Sequence, residues 1–171
     1  MDKVLLVILS LAFFIRIEMF QNDQLVNRLV NARLKYSIDR GAHDASLQID
    51  EEAWGNGYIL FVKEKALETF KSTLGSNISV DPVSLVPHPN TLLKDKIHII
   101  YEDYIDHEDN VSYPYYYQNE QYNIHKWIYG PAVIYVVKVM TPKIHPTSLN
   151  EYIQKSVVFE YPFPSDLDKG L

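Results

Sequence analysis

Hydrophobic residues run from Val4 to Ile15, broken only by Ser10, and then thin into a one-sided pattern. From Val26 the apolar positions fall at Val30, Leu34, Ile38, Ala42, Ala45 and Ile49, three or four apart, the period of one helix face. No proline or glycine occurs before Gly41, so the pattern predicts one long helix through both parts. Its front half is too apolar for water. Its back half carries a single stripe, so the element is expected to leave a membrane and dock on a folded body.

The rest of the chain supplies that body. Residues Asp50 to Gly57 turn acidic and then glycine-rich, a stop and a turn. Tyr58 to Val62 reads as a short extended piece. Lys63 to Leu74 places Ala66, Leu67, Phe70 and Leu74 on one side, a second amphipathic helix with Gly75 positioned to cap it. Three prolines between Asp81 and Asn90 exclude helix and central strand, leaving an ordered connector. A first strand is expected over Lys96 to Ile105. A second, Ala132 to Thr141, is apolar on both faces, with Val133, Tyr135, Val137 and Val139 opposite Ile134, Val136, Lys138 and Met140. That pattern predicts a central strand with the long helix on one face. Pro142 ends it, and a connector with Pro146 leads to a third strand, Lys155 to Tyr161. Pro162 and Pro164 stop that strand before a frayed tail to Leu171. The order helix, helix, strand, strand, strand predicts an α+β fold: an antiparallel three-stranded meander with both helices on one face. Residues 1–20 form the anchor and 21–171 a single domain.

The anchor is short. Val4 to Ile15 is 12 residues, against about 20 for a bilayer-spanning helix. Extension to Phe20 adds Ile17, Met19 and Phe20, with Arg16 and Glu18 reaching toward the interface. A cleaved secretory signal is the nearest alternative, but no pair of small residues follows Ile15, and a buried helix of a soluble protein is the other. The expected location is the cell membrane, single-pass, with the body extracytoplasmic. Arg16, Arg28, Arg33, Lys35 and Arg40 after the span count against export, although folded domains cross largely regardless of charge.

A formal net charge of -6 argues against nucleic acid as a partner, because phosphate neutralisation needs a basic face. The absence of cysteine removes thiolate metal sites, a cysteine nucleophile and disulfides. Tyrosine, at 13 residues, is concentrated between 101 and 129. The polar stretch Asn110 to Ile128 therefore reads as a long exposed excursion between strands, where binding would live. Its Tyr113, Tyr115, Tyr116, Tyr117, Tyr122 and Trp127 form a candidate partner surface; packing in a tyrosine-rich sheet is the competing explanation.

Other candidate chemistry is thin. Asp103, Asp106, His107, Glu108 and Asp109 are the best cation candidates, but the glycine and closing glutamate of a calcium loop are missing. Asp39 and His43, four apart on the helix, offer two metal ligands at best. No phosphate-cradling loop, nucleophile elbow, zinc-helix pattern or dinucleotide fingerprint occurs, so no catalytic residue, cofactor or metal is assigned. Asn77-Ile78-Ser79 and Asn110-Val111-Ser112 match the glycosylation triplet, a pattern that arises often by chance.

The segment from Lys35 to Asp50 resembles the post-anchor helix of TadE-like proteins, pilin-like minor components of tight-adherence pili. Lys63 to Phe70 with Asn77 is similar to their second helix, Tyr129-Gly130-Pro131-Ala132-Val133-Ile134 to their strand after a Gly-Pro step, and Val157 to Tyr161 to their closing strand. The resemblance covers most of the chain through small residues and turn signals. A processed prepilin needs a glycine before its cleavage site and a glutamate five residues on; the first glycine here is Gly41, so Glu18 does not inherit that glutamate's role. What the resemblance implies is a non-catalytic, membrane-anchored assembly component of a bacterial cell envelope. Its expected partners are membrane lipid and other pilin-like or secretion proteins. The alternative from another class is a single-span protein whose body binds a ligand or partner through 110–128.

Overall fold

A computed structural model describes residues 2–91, 93, 95–140 and 152–163. Helix α1, Asp2–Ser46, is 45 residues long, about 68 Å at 1.5 Å per residue. A short α2, Glu51–Gly55, follows, capped by Asp50, whose carboxylate accepts from the Ala53 N–H at 2.8 Å. Helix α3 is Lys63–Ile78, and the strands are β1 His98–Ile105, β2 Tyr115–Asn119, β3 Ile124–Ile128, β4 Ala132–Met140 and β5 Tyr152–Glu160. The strands form an antiparallel sheet in the order β1-β4-β5 and a separate hairpin of β2 and β3.

The expected α+β meander with a central β4 is therefore present, and alternation along β4 builds two cores. Val133, Tyr135, Val137 and Val139 face α1 and α3, meeting Val30, Leu34, Ile38, Ala42, Phe70 and Leu74. Ala132, Ile134 and Val136 face the other way, onto Ile105, Tyr117, Ile124 and Ile128. Burial on both sides explains why β4 has no polar face until Lys138.

Here the structure corrects the reading of 110–128. This stretch is a β-hairpin laid over the second face of the sheet, because that face would otherwise expose Ile134 and Val136 to water. Gly75 is also corrected. It lies inside α3, which ends with Ser79 in the left-handed region at φ 58°. A Cβ on Gly75 would sit 2.8 Å from the Val80 carbonyl oxygen and 3.3 Å from Pro82 Cα, so glycine is needed for close approach of the returning chain. That return is ordered, as expected: Asp81 Oδ1 accepts from the Ser84 N–H at 2.7 Å, and Val80 bridges Pro87. Thr141, Pro142, the Pro146 connector, Pro164 and the tail to Leu171 lie outside the described residues.

Residues 3–18 of α1 are exposed throughout, with Leu5 71%, Leu9 70% and Phe13 69% exposed. The helix that carries this stretch is long and apolar enough to cross a membrane. From Val30 onward the same helix is core, with Leu34 and Ile38 at 1% exposure.

Candidate functional site

The tyrosine-rich stretch places its six candidate aromatics differently. Tyr117 points inward and is 4% exposed. Its hydroxyl donates to Asp103 Oδ2 at 2.7 Å and lies 2.9 Å from the Tyr101 hydroxyl, which donates to the same carboxylate oxygen at 2.9 Å. Burial, then the bonds to Tyr101 and Asp103, push the Tyr117 phenol far above its ordinary value. A phenol that keeps its proton serves as a donor, so this trio pins β2 to β1. Tyr122 donates to the Ile100 carbonyl at 3.1 Å, a second pin at the β1 bulge. Tyr113 and Tyr115 are half-buried against the same core. The Tyr113 hydroxyl is buried without a hydrogen-bond partner among the described residues. Burial first, and then the charges of Asp106, Asp109 and Glu160, push it up to about 12.

Only Tyr116 and Trp127 of the six face water, at 41% and 54% exposure. They are cross-strand partners with ring centroids 5.0 Å apart, and His125, two residues from Trp127 on β3, lies 6.5 Å from Tyr116. The exposed candidate surface is thus one aromatic pair on the outer hairpin face. Its base is held by Lys126, which donates to the Val158 carbonyl at 2.9 Å, and by the Tyr129 N–H to Glu160 at 2.9 Å.

The acidic segment after β1 is occupied with its own backbone. Asp106, 2% exposed, accepts from the Glu108 N–H at 2.9 Å and from the Phe61 N–H at 3.2 Å, while Asp109 accepts from the Asp106 N–H at 2.9 Å. The Ile59 N–H donates to His107 Nδ1 at 2.9 Å. These residues cap a 3₁₀ turn and stitch it to the segment before α3, and among the described residues no group of three potential metal ligands forms. Asp39 and His43 also part company. Asp39 pairs with Lys35 at 2.7 Å, whereas His43 meets Asp44 at 2.9 Å. Burial opposes the Asp44 charge, but hydrogen bonds from His43 and from Thr73, at 2.8 Å, outweigh it and hold the carboxyl below its usual value.

A cleft of about 170 Å³ opens between α1, the end of α3 and the connector, lined by Val30, Arg33, Leu34, Ile78, Ser79, Asn90, Thr91 and Leu93. Small-molecule sites run to about 300–1,000 Å³, so this space is undersized for one.

One surface that periodicity left unread lies on the outside of α1. Leu25, Leu29 and Tyr36 are 65%, 45% and 60% exposed and lie on the face opposite the core stripe. Their spacing was the available signal, but the inward stripe on the same helix masked it. No family model, curated protein or solved structure matches the chain.

Proposed function

We propose that this protein is a non-catalytic, membrane-anchored, pilin-like component of a pilus or secretion assembly in a bacterial cell envelope, its body outside the cytoplasm. The observation that carries the reading is the division of α1. One uninterrupted helix is bare and apolar over residues 3–18 and is the spine of the core from Val30. Such a chain delivers a rigidly mounted surface to the bilayer and works through packing with neighbours. The bonded side chains Asp103, Asp106 and the phenols of Tyr101 and Tyr117 serve backbone turns and strand pinning.

Alkaline extraction of membranes tests the anchor. The full chain stays in the pellet and a variant lacking residues 3–20 is released; release of the full chain would sink the reading. Protease added to intact cells digests the body if it is exported, and protection until lysis would overturn that placement. Neighbouring genes for a secretion ATPase and a polytopic pilus platform are expected, and their absence removes the pilus assignment. A second reading, a binding module, draws on the exposed Tyr116–Trp127 pair. Under it, removing both rings abolishes partner capture and leaves membrane insertion intact.

A further inference from the structure

We infer that the outer face of α1 is a docking surface for the helix of a second, different membrane-anchored chain, apolar along its seam and acidic on its flanks. The inference rests on the anchored reading. Leu25, Leu29, Ala32 and Tyr36 are exposed and follow at spacings of four, three and four, the repeat that lets two helices share a seam. At 100° per residue this stripe lies roughly opposite Val30, Leu34 and Ile38, so the body cannot cover it. The same register continues toward the amino terminus through Asn22 and Glu18 to Ile15, Leu11, Ile8 and Val4. A partner following the seam therefore passes alongside the anchor and lies in the same bilayer.

Charge selects the occupant. The stripe is flanked by Arg28 and Lys35 on one side and by Arg33 and Arg40 on the other. Among the described residues Arg28 and Arg33 form no ion pair, Lys35 pairs only with exposed Asp39, and Arg40 has Asp44 nearby on its own helix. Two copies inserted in one orientation must pair parallel. In-register pairing of this heptad then sets Arg28 against Arg33 of the other copy, and Lys35 against Arg40, on both sides of the seam. Every flanking contact in a homodimer is repulsive. A helix with Glu or Asp at those positions turns all four into attraction and leaves the apolar seam unchanged.

Full-length protein in phosphatidylcholine nanodiscs is titrated with two heptad peptides, both with Leu along the seam, one with Glu and the other with Lys on the flanks. The Glu peptide is expected to bind roughly tenfold tighter or better. Leu29→Asn abolishes its binding with unchanged circular dichroism, and reversing all four flanks, Arg28→Glu, Arg33→Glu, Lys35→Glu and Arg40→Glu, reverses the preference. Equal binding of both peptides, or binding of neither, overturns the proposal. The chain has no cysteine, so Leu29→Cys introduces a single thiol. Its oxidation to a disulfide-linked homodimer in native membranes would identify a second copy as the occupant and also overturn the proposal. These readouts differ from membrane extraction: a failed anchor shows as release of the full chain before any titration and overturns both readings, whereas a failed titration overturns the docking face and leaves the anchor standing.

Discussion

Three glycines offer a test of close packing against helix propensity. Gly41 is in α1, Gly55 ends α2 and Gly75 is in α3. Propensity alone favours alanine at each by about 1 kcal/mol, so it predicts three stabilised variants. The packing predicts otherwise. A Cβ on Gly41 would meet Phe70 Cδ2 at 2.9 Å and the Phe70 carbonyl oxygen at 3.2 Å. Phe70 is fully buried and stacks on Tyr135 with centroids 4.0 Å apart, and Tyr135 is held by the Tyr104 hydroxyl at 3.0 Å. The ring has nowhere to go, so relief requires α3 to move from α1. Overpacking of this kind costs about 1–3 kcal/mol, leaving Gly41→Ala net destabilised by up to about 2 kcal/mol. At Gly75 the obstacles include backbone, Val80 O at 2.8 Å and Pro82 Cα at 3.3 Å, so the net loss is larger, about 2–3 kcal/mol. Gly55 has nothing within 4 Å, and alanine there gains about 0.5–1 kcal/mol. Thermal unfolding of the full chain in detergent, followed by near-ultraviolet circular dichroism, reads the order Gly55→Ala above wild type above Gly41→Ala above Gly75→Ala. A chain of this size shifts its midpoint by about 2–4 °C per kcal/mol. A midpoint for Gly41→Ala or Gly75→Ala at or above wild type would refute the interlock of α1, α3 and the connector.

Asp106→Ala strands the Phe61 and Glu108 N–H groups in or near the core, and a loss of about 2–3 kcal/mol is expected; hydrogen exchange at those two amides should accelerate, and unchanged protection would count against the capping role. Alkaline titration gives another readout. Tyr104, buried and pushed up to about 12, and Tyr117 and Tyr135, raised further, hold their protons more tightly folded than unfolded. Their contribution is complete below the ordinary value of 10.0 and is lost as pH rises through 12. Tyrosinate absorbance should therefore rise in two phases, the later one coinciding with unfolding, and a single phase near 10 would contradict the buried placement.

The sequence made the main frame legible where one physical demand dominated. The stripe from Val30 to Ala45 answers only to the core, and β4 is apolar on both faces because it is central. The hairpin escaped because tyrosine satisfies two demands at once. Tyr117 buries its ring and Tyr116 exposes much of its own, yet both are written with the same letter, so alternation disappears. The usable signals were Ile124 and Ile128, inward anchors four apart, and the turn at Asn119 to Asn123, where Asn123 adopts φ 52°. Gly75 misled for a related reason: glycine marks a helix end or a close approach, and sequence spacing does not separate them. The candidate surface was half legible. Its aromatics were legible by position along the chain, but which rings point outward depends on strand register, and the outer face of α1 was hidden by the stronger inner stripe.

The uninterrupted course of α1 has a mechanical consequence. With no proline or glycine before Gly41, the helix has no hinge between its exposed apolar segment and the packing around Ala42. A pull on the anchor is borne as shear between α1 and the layer of α3, β4 and β5, and a twist reaches Phe70 and Tyr135 without a joint to dissipate it. Tilting the anchor by a few degrees swings the far end of the body through a long arc. Under the anchored reading, the orientation of the hairpin and its aromatic pair follows the tilt of the amino-terminal part of α1.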